Sequence, residues 1–152
     1  MGLEQETEMT REETDALLGR NETGVLALAR DDDPYAIPIS YGYDADARRF
    51  YMRLVSTPES EKSRFLSGTP DVRLVVYEED AQTYRSAVVT GTLEPIARDE
   101  LTPEHVEQYG ETKRPLFEIW GQSRKDLDIQ LYVLRPTTIS GRRTELQPDG
   151  DD

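Results

Sequence analysis

The chain has no cysteine and a single histidine, His105. Disulfides, thiolate nucleophiles and cysteine-ligated metals are excluded outright, and a histidine-built metal centre is excluded by count, so no metal site is expected. A Ser-His-Asp relay would depend on that one imidazole, which sits three residues after Thr102 and reads as a solvated first-turn residue. Glycine-rich phosphate loops are missing too, since neither G-x-G-x-x-G nor G-x-x-x-x-G-K-[ST] occurs. No segment approaches the roughly 18 apolar residues of a membrane helix, and the opening "MGLEQETEMTREE" lacks the basic-then-apolar order of a leader. A soluble, cytoplasmic protein without a membrane partner is expected.

Lysine is nearly absent: Lys62, Lys113 and Lys125 stand against 15 arginines. With 18 basic and 31 acidic residues the net charge is −13, which repels phosphate backbones and argues against nucleic acid as a partner. Acid excess and lysine avoidance together point to a halophilic protein. In molar salt the Debye length falls to about 3 Å and self-repulsion is screened. An ordinary acidic protein is the alternative.

What is present is β-rich. Thr10, Arg11, Glu12 and Glu13 have the capping-box form and open a short helix that Gly19 is placed to end. Apolar alternations follow at "GVLALAR" (24–30), "YAIPISYGY" (35–43) and "RFYMRLV" (49–55), separated by the turn compositions "DDDP" and "DADA". Thr57 and Pro58 start a helix over 58–67, ended by Gly68. Strands are predicted at 71–77, 83–96 and 129–143, with helical pieces at 102–109 and 114–121 between the last two. No βαβ rhythm appears, so the fold class is α+β, mainly antiparallel β, a barrel with short helical excursions. One domain over 1–152 is expected, with flexible acidic tails at 1–9 and 144–152.

No protein nucleophile or base stands out, so if the chain is an enzyme a bound cofactor carries the reaction. One anion site is suggested by spacing. Ser56 and Thr57 precede the helix at 58–67, where free amides and the dipole favour phosphate. Lys62 lies just inside that helix, and Arg53 points the same way from the preceding strand. The competing reading is a capped surface helix in which Lys62 pairs with Glu59.

The order of motifs resembles the split β-barrel flavoproteins related to pyridoxamine 5'-phosphate oxidase. The residues concerned are "GVLALAR" with "PYAIPISYGYD", then "FYMR", then the run from Lys62 to Val72, then "RSAVVTG" (85–91) and "ISGR" (139–142). The resemblance covers roughly residues 10–143. It implies a homodimer that holds FMN in clefts between the subunits, with the flavin ring along Pro38, Ile39, Ser40 and Tyr41. The phosphate would then lie near Arg53, Ser56, Thr57 and Lys62, and Ser86 would replace a glutamine supplied by the partner. Trp120 is either a core or interface aromatic or a lid over the flavin, and Arg142 is either a solvated edge residue or a cofactor contact.

The resemblance implies an FMN-dependent oxidoreductase that uses a nicotinamide nucleotide and a small acceptor. The R-L-H-D-R-like and R-x-V-L-L-K-like segments of true pyridoxamine phosphate oxidases are absent, so that substrate is not expected. A deazaflavin-dependent reductase and a non-catalytic flavin carrier are the alternatives. Pro38, planted inside a strand, is read as the point where the strand leaves its neighbour and opens the barrel for the flavin ring.

Overall fold

The computed structural model describes residues 4–56, 61–68, 70–96 and 128–146. In chain order these form β1 (Glu4–Glu8), α1 (Arg11–Arg20), β2 (Thr23–Arg30), β3 (Asp33–Ser40), β4 (Gly42–Asp44) and β5 (Arg49–Ser56). Then follow α2 (Glu61–Leu66), β6 (Asp71–Asp80), β7 (Thr83–Ile96) and β8 (Asp128–Leu146). The helical pieces expected at 102–109 and 114–121 lie outside the described residues.

All strand pairs are antiparallel, in the order β3, β2, β6, β7, β8, β5, β4, with β1 also on β8. The two ends of this order, β3 and β4, are consecutive in the chain and separated only by Tyr41. The sheet is therefore rolled into a barrel that the chain itself, rather than a ladder, carries across the seam. Among the described residues no ladder joins β3 to β5. This is the split barrel expected from the sequence.

Local chemistry sets the hairpins. Asp31 and Asp32 both adopt positive φ (51° and 66°) between paired Arg30 and Asp33, the signature of a type I′ turn that matches strand twist. α1 carries the complete capping box, Thr10 and Glu13 each bonding the other's amide. The helix runs one residue past Gly19 and ends at Arg20, where the Asn21 amide and side chain both bond the Leu17 carbonyl.

The core follows the period of two. Leu26 and Leu28, Phe50 and Met52, and Leu74 and Val76 all point inward. Leu17 and Leu18 of α1 and Phe65 and Leu66 of α2 close the ends. Each fully buried leucine contributes roughly 1.5–3 kcal/mol. β8 needs a correction of phase to keep this pattern over 19 residues. A bulge opposite Thr90 and Gly91 leaves Thr137 as the extra residue, and its hydroxyl donates to the Thr90 carbonyl at 2.9 Å. The one-residue insertion lets Tyr132, Leu134 and, beyond it, Ile139 all face the same core.

The flexible tails expected at 1–9 and 144–152 are corrected over part of their length. β1 pairs with the end of β8, from Glu4 opposite Leu146 to Glu8 opposite Arg142. The acidic strand meets an arginine-bearing one, with Arg142 bonded to Glu6 at 3.0 Å.

Candidate functional site

β5 lies against β4 only from Arg49 to Tyr51, while β3 turns away to pair with β2 over its full length. A fork therefore opens between β3 and the later half of β5. Continuing the β4–β5 register past Gly42 opposite Tyr51 sets Ser40 opposite Arg53 across this fork. Parity puts both on the outer face, because Ile39, Tyr41, Met52 and Leu54 belong to the core. Ser40 is buried to 3% exposure, whereas its outer-face neighbours Pro38 and Ala36 are exposed, so the strand is covered on this face only where it enters the fork.

Of the residues expected at a site, Pro38 and Ser40 lie on one arm of the fork and Arg53 on the other. Ser56 ends β5 opposite Asp128. Lys62 falls within α2, and its side chain, like that of Ser56, is outside the described residues. Thr57, Trp120 and His105 also lie outside them. Ser86 is not part of the fork in the same subunit. It lies three strands from Ser40 by way of β2 and β6. By way of β8 it is ten residues of β7 from Ile96, which is level with Arg53, roughly 33 Å at about 3.3 Å per residue. The difference between the two paths is the stagger that closes a tilted barrel.

Two sequence readings of β3 need correction. The ladder to β2 is unbroken from Asp33 to Ser40, so the strand does not leave its neighbour at Pro38. The Tyr41 amide donates to the Glu22 carbonyl at 3.0 Å, which fixes the odd residues of β3 as those bonded to β2. The backbone groups of Ile39 and Tyr41 thus face β2. The even residues face the open edge, where Pro34 and Pro38 lack only outward-pointing donors. On this register the Pro38 and Ser40 backbone groups point away from β2 and those of Ile39 toward it.

The tyrosines near the fork anchor α1. Tyr41 donates to the Leu18 carbonyl at 2.7 Å, and burial pushes its hydroxyl well above the ordinary range. Tyr43 donates to Asp15 at 2.7 Å and is raised first by burial and then by that carboxylate. Neither hydroxyl ionises near neutrality. α2 seals the far end of the split: Phe65 stacks on Tyr35 with centroids 4.7 Å apart, and Arg64 bonds Asp33 at 2.8 Å.

Spacing did not disclose a polar cluster where the end of α1 meets β6 and β7. Glu78 accepts from Arg20 Nε and Nη2 at 2.9 and 2.7 Å and from Asn21 at 2.9 Å, with Arg85 at 3.5 Å. These bonds hold the carboxyl down to about 2, chiefly through Arg20, against the opposing effect of burial. The cluster borders an open polar cavity of about 380 Å³ reaching Glu13 and Asp80. Among the described residues no group of three His, Cys, Asp or Glu is arranged to hold a metal, and no helix is long and apolar enough to cross a membrane.

This architecture has known counterparts. An FAD-binding protein of Mesorhizobium loti superposes with a TM-score of 0.66 at 22% identity, covering 91% of this chain and 97% of that one. An FAD and haem binding protein of Mycobacterium smegmatis gives 0.57 at 25% identity, covering 97% and 76%. An uncharacterised protein of Rhizobium meliloti (strain 1021) is 33% identical over 84 residues, 55% of this chain; the match spans about half, 52%, of that relative's length. The family profile described as pyridoxamine 5'-phosphate oxidase matches residues 10–143, and the chain belongs to that family.

Proposed function

We propose that the chain is a flavin-binding oxidoreductase, active as a homodimer, that holds FMN at the fork between β3 and β5. It would pass electrons from a nicotinamide nucleotide to a small acceptor. The observation that carries this reading is the fork itself, whose two arms bear Ser40 on β3 and Arg53 on β5 in a chain of net charge −13. A guanidinium set among so many carboxylates is a selective anion partner, and its fork geometry suits a phosphate. Ser56, which ends β5, and Lys62, within α2, are the next residues in sequence that the reading assigns to the phosphate. The Pro38 carbonyl, turned away from β2, offers an acceptor to the polar edge of an isoalloxazine. When bound, the flavin supplies reversible two-electron chemistry, and no residue of the chain has to act as acid or base.

The family match and the flavin-binding neighbours support this reading. Because those neighbours bind FAD, a second reading puts the dinucleotide at the same fork. Titration of purified protein with FMN and with FAD, followed by flavin fluorescence, ranks the two. NADH and NADPH oxidation against a panel of acceptors then separates a reductase from a carrier. A colourless protein that quenches neither flavin would eliminate the proposal. In a binder, Arg53→Ala should weaken flavin affinity about tenfold or more while leaving the unfolding midpoint within a few degrees.

A further inference from the structure

The inner face of the β2–β3 hairpin changes character toward its turn. Leu26 opposite Ile37 and Leu28 opposite Tyr35 belong to the core or pack on it, whereas the next pair on that face, Arg30 opposite Asp33, is exposed. The alternation that fills the barrel thus ends in a charged rim. α2 sits on that rim. It is six residues long, too short to be stable by itself, so its place depends on what it touches. Phe65 and Leu66 enter the core, and the Phe65 ring lies nearly parallel to Tyr35, with 8° between the planes and 4.7 Å between centroids. The Arg64 guanidinium stands over the same ring at 4.6 Å and reaches Asp33 at 2.8 Å.

Arg30 makes a different kind of contact. Its Nη1 donates to the Arg64 carbonyl at 3.1 Å and to the Ser67 hydroxyl, which itself donates to that carbonyl at 3.0 Å. The Arg64 carbonyl is one of the last four of the helix, groups that need a partner from outside, so Arg30 caps α2 with a cation where the helix dipole is negative. The chain then leaves through Gly68 at φ 78°, a conformation suited to glycine at a helix end. The tethers differ in weight. The side chains of Arg64 and Asp33 are 54% and 55% exposed, and ion pairs in such a setting contribute little. The ring stack and the bond to a main-chain carbonyl hold the helix itself. Lys62 precedes Phe65 by three residues, about 4.5 Å of helix at roughly 1.5 Å per residue. We infer that Arg30 and Tyr35 are positioning residues for the flavin phosphate, which seat α2 on the hairpin rim and so fix where the helix presents Lys62. A charged contact displaced by about 1 Å loses much of its effect, so a loosened helix weakens phosphate binding without a change in any residue that meets the ligand. This inference rests on the flavin reading above, in which Lys62 is a phosphate partner.

Riboflavin shares the flavin ring and lacks the phosphate, so the ratio of the two dissociation constants reads the phosphate contact alone. In fluorescence titration the unaltered protein should bind FMN about tenfold or more tighter than riboflavin. Arg30→Ala should raise the FMN Kd about tenfold and leave the riboflavin Kd within about twofold. Tyr35→Leu should do the same, and Tyr35→Phe, which keeps the stacked ring, should not. Asp33→Asn removes only the exposed ion pair and should leave both constants within about twofold. A loss in Asp33→Asn as large as in Arg30→Ala would trace the effect to charge at the hairpin and overturn the assignment of Arg30. An FMN preference that survives both Arg30→Ala and Tyr35→Leu, or a parallel rise in both constants, overturns the positioning role while leaving the flavin reading intact. Unaltered protein that binds the two flavins equally, or binds neither, defeats the phosphate reading and this inference with it, so the two failures are distinguishable.

Discussion

Replacing Glu78 with glutamine keeps the shape of the side chain but removes its charge and one of its two acceptor oxygens, which probes the cluster tying α1 to β6 and β7. The carboxyl lies near 2 against an ordinary value of 4.5. Unscreened, that difference corresponds to about 3 kcal/mol at neutral pH. The side chains of Glu78 and Arg20 are 22% and 46% exposed, so solvent and salt reduce the effect. A cost of about 1–1.5 kcal/mol is expected, or roughly 2–6 °C in Tm for a chain of this length. The sign follows from the depressed value. Stabilisation is complete above about pH 4.5 and is lost as the pH falls toward 2, because the unfolded chain takes up the proton first. Urea unfolding of both proteins at pH 7, 4 and 2 should show a gap that narrows as acid is added. A gap below about 0.3 kcal/mol at pH 7 would refute the reasoning, and so would a gap that persists unchanged at pH 2.

Further outcomes follow from individual contacts. Gly91→Ala places a methyl against the Arg135 carbonyl at the β8 bulge, where both neighbours are backbone, and should cost about 2–3 kcal/mol in chemical denaturation. Tyr41→Phe leaves the buried Leu18 carbonyl without its donor and should cost about 1–2 kcal/mol, with circular dichroism reporting an intact fold. With a net charge of −13, the urea midpoint should rise as KCl is taken from low to molar concentration; a flat profile would remove the halophilic reading.

Much of this protein was legible along the chain because its determinants are local. Alternation of apolar residues located β2, β3 and β5 through β8 to within a few residues, although β6 and β8 each continue three further, to Asp80 and Leu146, and the run at 35–43 divides into β3 and β4. The Thr10 capping box and the turn at Asp31 and Asp32 are short-range chemistry that needs no partner from elsewhere. Composition alone removed thiol and histidine-metal chemistry, and the motif order carried the family. β1 escaped notice because a run of glutamates has no apolar period; it becomes a strand only against the arginines of β8. The Glu78 cluster joins residues 58 positions apart, which spacing cannot foresee.

Pro38 shows the division most clearly. The sequence determined that one strand residue lacks a donor, and only the register of β3 on β2 decided that this donor would have pointed to open edge. Likewise, Tyr41 looks like one more alternating aromatic until tertiary pairing hands the residues before it to β2 and those after it to β5. The fork between β3 and β5 exists because the chain changes neighbours there. Side-chain period is a property of the local backbone, whereas the choice of partner strand depends on how the whole sheet closes on itself.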